Sequence, residues 1–104
     1  MKVSKKRMQK WQDILPLLEA ERGVSANPVF IDAMDTCFAI IGGEDPGLTL
    51  LQAREYVVEI EDRINYLIYQ TTDILKTNAL MECADMIRDY ARESIKDFRE
   101  EDAL

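Results

Sequence analysis

Between Leu50 and Ile74 the chain places core-compatible side chains at a strict three–four spacing: Leu50, Ala53, Val57, Ile60, Ile64, Leu67, Thr71 and Ile74. A repeat averaging 3.5 residues keeps one stripe of a helix turned toward a neighbouring helix over about three and a half heptads. No strand builds such a pattern, because strand side chains alternate with a period of two. Thr49 and Gln52 open the segment with a capping-box pair. The segment is therefore expected to be a long helix in a bundle, over about residues 50–76.

The rest of the chain punctuates itself in the same way. Asn27 followed by Pro28 is a cap with proline at the first helical position, and Gly42-Gly43 closes the segment that follows. Phe30, Ala33, Met34, Cys37, Phe38 and Ile41 give that short helix a wide apolar face. Residues 42–47, "GGEDPG", read as a connection. They carry no phosphate-loop lysine and follow no strand. Ser4 and Gly23 bracket a first helix with Met8, Trp11, Ile14 or Leu15, and Leu18 at helical spacing. Pro16 inside it should kink it or split it in two. Thr77 or Asn78 is the expected cap of a last helix with a seam of Leu80, Ala84, Ile87, Ala91, Ile95 and Phe98. The tail "EEDAL" is expected to fray. The expectation is an all-α, antiparallel four-helix bundle-like domain spanning 1–104, with a Pro-kinked first helix and helices over about 4–22, 28–41, 50–76 and 78–99.

Composition removes whole classes of chemistry. The 104 residues include no histidine, which takes away the usual general base and every Ser-His or Cys-His nucleophile. Two separated cysteines cannot supply a zinc site alone. Cys37 and Cys83 fall within apolar helical patterns, and the start "MKVSKKRMQKW" has no apolar run after it. Both cysteines are therefore read as reduced core thiols of a cytoplasmic protein. No stretch approaches the roughly 18 apolar residues of a membrane span. The net charge of −7 argues against general binding to nucleic acid or anionic membranes. Five of the 13 basic residues lie in residues 1–10, which hold no acid. That stretch is read as the solvated start of a helix.

The one sharp chemical pattern is a pair of Glu-x-x-Asp spacings, Glu59 with Asp62 and Glu82 with Asp85. Spacing of i,i+3 sets two hard oxygen ligands on one helix face, which suits Mg²⁺. The arrangement resembles all-α nucleoside-triphosphate pyrophosphohydrolases of the MazG type, over about residues 50–100. The resemblance implies a Mg²⁺ site made of Glu59, Asp62, Glu82 and Asp85, with the metal neutralising a triphosphate and helping to activate water. Helical geometry reads differently: Glu59 lies roughly 120° and Asp62 roughly 180° from the seam of their helix, while Glu82 is nearly opposite its own seam and Asp85 roughly 125° away. Both pairs should then be solvated faces. Along the last helix Asp85, Asp89 and Glu93 each precede Arg88, Arg92 or Lys96 by three residues, so the two rows should pair at the surface.

Behind the long helix, Leu51, Val58 and Tyr69 lie nearly opposite the seam, with Tyr66 and Glu55 beside them. A peripheral helix should be charged there. Either the first helix or the 42–47 loop covers this stripe, or a partner does. The leading expectation is a small acidic intracellular protein that acts without catalysis by binding another protein, as an adaptor, chaperone, immunity protein or inhibitor. Glu55, Glu59, Asp62, Tyr66 and Tyr69 are its candidate surface, and Leu51, Val58 and Tyr69 a candidate homo-oligomer contact. No cofactor is expected on that reading. The alternatives are the Mg²⁺-dependent hydrolase and an acidic nucleic-acid mimic that blocks a DNA-binding protein.

Overall fold

The computed structural model describes residues 5–70, 73–96 and 98, with side chains from residue 12 onward. Four helices make up the fold: α1 (Lys5–Val24), α2 (Pro28–Ile41), α3 (Leu50–Gln70) and α4 (Ile74–Ser94). The all-α bundle-like architecture is as the periodicity predicts. The expectations for Ser4, the side chains of the basic stretch, Met8, Trp11, Thr71 and the acidic tail lie outside the described residues.

Local chemistry sets the helix ends. Asn27 Oδ1 accepts from the backbone N–H groups of Val29 (2.9 Å) and Phe30 (3.3 Å), which caps α2. At its other end Gly43 adopts φ +84°, with Gly43 N–H on Ile40 O and Glu44 N–H on Ala39 O. These are the paired reverse bonds of a Schellman closure, in a conformation that favours glycine. The Thr49–Gln52 capping box forms in both directions, at 3.1 and 3.0 Å. Pro16 lies within a continuous α1, so the helix is one piece. Its ring nitrogen has no N–H to give to the preceding turn.

One boundary differs from expectation. α3 ends at Gln70, and Asp73 rather than Thr77 or Asn78 caps α4, accepting from Lys76 N–H at 3.1 Å. Thr77 donates its hydroxyl back to Asp73 O at 3.0 Å. An Asp at this position satisfies orphan donors of the first turn, and that competes with continuing the heptad. Ile74, expected in the α3 seam, instead opens α4 and is exposed. At the far end α4 stops at Ser94, five residues before the predicted Arg99, yet Ile95 and Phe98 still pack against the core.

Each helix meets two or three others. α2 and α4 pack against each other and against both α1 and α3, while the backbones of α1 and α3 stay apart. Arg88 of α4 pairs with Glu61 of α3 while Met81, earlier in α4, shares a groove with Asn65, later in α3. Asn27 at the start of α2 bonds Glu59 while Thr36, later in α2, bonds Tyr56, earlier in α3, so both neighbours run antiparallel to α3. The central position of α4 explains why it buries eight residues, four of them small: Ala79, Cys83, Ala84 and Ala91. Small side chains let a helix approach neighbours on several sides. α3 buries one stripe only: Ala53, Val57, Ile60, Ile64 and Leu67. Each large core side chain so enclosed contributes about 1.5–3 kcal/mol.

Cys37 of α2 and Cys83 of α4 are fully buried, as expected of core residues, but they are bonded to each other. Their Cα atoms stand 6.1 Å apart, within the span of a disulfide. This corrects the reading of reduced thiols. Sequence showed that each cysteine faces a core. It did not show that α2 and α4 meet across the middle of the bundle.

Candidate functional site

The outward face of α3 is open. Leu51, Val58, Tyr66 and Tyr69 retain 66, 53, 53 and 86% of their exposure. Neither α1 nor the 42–47 loop covers this stripe, because α1 packs on α2 and α4 instead. The loop is fastened elsewhere: Tyr90 of α4 donates its hydroxyl to Asp45 Oδ1, and Gly47 N–H donates to the same oxygen at 2.8 Å. These bonds hold the Asp45 carboxyl below the ordinary aspartate range, the Tyr90 bond contributing most. Burial, and then Asp45 itself, push the Tyr90 phenol up.

Two shallow grooves adjoin along the side of α3 that faces α2. Val29, Arg54, Glu55, Val58 and Glu59 line one. Ser25, Asn27, Phe30, Glu59, Asp62 and Tyr66 line the other, with Arg63. Four of the five candidate partner-binding residues, Glu55, Glu59, Asp62 and Tyr66, thus share one continuous surface. Tyr69 lines neither groove and is exposed. Glu59 accepts a 2.7 Å bond from Asn27 Nδ2, the same side chain whose oxygen caps α2. One asparagine therefore starts a helix and ties it to its neighbour. Burial, with the nearby carboxylates of Asp32 and Glu55, raises the Tyr56 phenol pKa.

The two Glu-x-x-Asp pairs lie on different faces. Glu59 and Asp62 line the groove beside the α1–α2 turn, whereas Asp85 lines a groove with Glu61, Asn65, Met81 and Arg88 on the α3–α4 side. α4 flanks the side of α3 that carries Glu61. Asp85 is matched by Arg88 at 3.0 Å, and Asp89 by Arg92 at 3.4 Å, the pairing expected of a wet helix face. Among the described residues no group of three or more Asp, Glu or Cys could hold a metal ion. Glu59 and Asp62 thus line a different groove from Asp85, where the Mg²⁺ site that the resemblance implies would need them together with Glu82.

Compared with protein-family models, curated proteins and solved structures, the chain has no match in any of the three. The likeness to pyrophosphohydrolases therefore rests on the Glu-x-x-Asp spacing alone.

Sequence reasoning missed a buried ion cluster. Glu21 of α1 is 1% exposed. Arg63 Nε of α3 donates to its Oε2 at 2.7 Å, and Lys76 Nζ of α4 stands 3.5 Å from Oε1. Lys76 is near enough to attract that oxygen, yet no hydrogen bond reaches it among the described residues. The Arg63 guanidinium also lies 5.0 Å from the centre of the Tyr66 ring. A signal was present: Glu21 continues the register of Ile14 and Leu18, so it had to face inward. Also missed was an apolar end, where Ile68, Ile74, Leu75 and Met81 are all at least half exposed around the α3–α4 turn. No helix among the described residues is long and apolar enough to cross a membrane.

Proposed function

We propose that this protein acts without catalysis, by binding another protein through the outward face of α3 and occluding that partner. The supporting observation is the open stripe of Leu51, Val58, Tyr66 and Tyr69. Aromatic and aliphatic side chains that no part of the chain covers are the usual anchors of a protein interface. Glu55, Glu59 and Asp62 form its polar rim. Adaptors, chaperones, immunity proteins and inhibitors of enzymes all work in this way, and the surface fits each of them. The disulfide removes the reduced-thiol argument for a cytoplasmic location.

The test is a double variant, Val58→Lys with Tyr69→Lys. Both positions are exposed, so helicity and melting should be unchanged. Capture of the partner from a native extract should be lost. Equal capture by the variant and the parent protein refutes the assignment of this face.

A second reading has its own support: Leu51, Val58 and Tyr69 lie on one line along α3, and a two-fold pairing of copies would bury all three. Light scattering separates the readings. A homodimer gives twice the 12.0 kDa chain mass and reverts to monomer in the double variant.

A further inference from the structure

The adjoining grooves form a trough along α3 from Arg54 to Tyr66, about 18 Å at the helical rise. Val29 and Val58 provide apolar contact in it. Along its rim Glu55, Glu59 and Asp62 follow one another at i, i+4 and i+7, a span of about 10 Å. Among the described residues none of the three forms an ion pair; Glu59 has only the neutral amide of Asn27. The nearby cations are engaged. Arg63 and Lys76 hold Glu21, Arg22 holds Asp35, and Arg54 is not free. On α4, by contrast, Asp85 and Asp89 each have an arginine.

We propose that this trough binds a basic amphipathic helix of a partner protein. The proposal rests on the protein-binding reading above and names the class of partner. Apolar side chains of the incoming helix, at i, i+3 or i+4, and i+7, seat on Val29 and Val58. Its lysines and arginines face Glu55, Glu59 and Asp62, which form no ion pair among the described residues. The same rim rejects acidic helices. A second copy paired about a two-fold axis sets this acidic stripe against itself, in a chain whose net charge is already −7. A nucleic acid meets the same repulsion, and among the described residues no cluster of three or more carboxylates could hold a metal ion.

The test uses the full chain, isotope-labelled with its disulfide intact, and three synthetic helical peptides of about 20 residues (long enough for a stable amphipathic face). All three share one leucine stripe. They differ in carrying Lys/Arg, Gln or Glu on its flanks. The Lys/Arg peptide should bind with a Kd on the order of micromolar, and the Glu peptide should not bind. Amide shifts should centre on Val29, Val58 and Tyr66. Val58→Lys should weaken binding at least about tenfold. Glu55→Gln with Asp62→Gln should weaken it several-fold and flatten its salt dependence.

Equal binding of the Lys/Arg and Gln peptides in the trough overturns the basic class while leaving protein binding through this face intact. Shifts centred on the Arg88–Arg92 side of α4, or no binding of the Lys/Arg peptide, overturn the trough as a site for such a helix. The protein-binding reading is then decided separately by the Val58→Lys, Tyr69→Lys capture.

Discussion

Asp45 and Tyr90 show how one hydrogen bond links a loop to the bundle and makes that link sensitive to pH. The folded Asp45 has a lowered pKa, so its contribution is present above the unfolded value and is lost as pH falls through the folded one. Tyr90 has a raised pKa, so its contribution holds below the unfolded value, near 10, and is lost as pH rises through the folded one. The 42–49 connection should therefore loosen below about pH 4 and again above about pH 10, which amide exchange at Gly47 would report. Tyr90→Phe removes the contact with little change of shape. It should cost about 1 kcal/mol in urea unfolding and reduce the acid-side change at Gly47 without removing it, because Gly47 N–H still donates to Asp45. Glu21 is a second case. Glu21→Gln keeps the volume but removes the charge between Arg63 and Lys76, and should lower stability by about 1–3 kcal/mol. Both cations keep about a third of their exposure, so water offsets part of the loss.

At the scale of the helix, the caps were readable because they are local. Asn27-Pro28, Gly42-Gly43 and Thr49-x-x-Gln52 act within a few residues, and all form as expected. Asn27 does more than cap. Asn27→Ala should cost about 1 kcal/mol as a lost cap, while Asn27→Asp keeps the cap acceptor and places a carboxylate against Glu59. Because the bond to Glu59 ties α2 to α3, Asn27→Asp should also be destabilising. Equal thermal stability of Asn27→Asp and the parent protein at pH 7 contradicts that link. The α3 boundary was less readable, because heptad spacing ran through Thr71 to Ile74 without a break. A helix pattern says where a face points and leaves open where a capping aspartate will end it.

For the molecule as a whole, the disulfide is the main correction. Cys37 and Cys83 are 46 residues apart and join the two helices that cross the centre of the bundle. Closing a loop of that length restricts the unfolded chain by about 4 kcal/mol on a chain-entropy estimate. Urea unfolding with and without reductant should differ by that order. Protein denatured without reductant should titrate no free thiol, and two free thiols per chain would contradict the bond.

Spacing along the chain was enough for the helical class, the caps at Asn27, Gly42-Gly43 and Thr49, the inward stripes of α3 and α4, and the pairing of Asp85 and Asp89 with arginines. Each follows from spacing along a single helix, where 100° per residue and a few capping bonds decide the outcome. Tertiary structure alone decided which helices meet. That choice bonded Cys37 to Cys83, enclosed Glu21 between Arg63 and Lys76, set Asp85 on the opposite flank of α3 from Glu59, and left Leu51, Val58 and Tyr69 uncovered. These outcomes depend on residues far apart in the chain, whose meeting is fixed by how four apolar stripes share one core, and no single stripe carries that information.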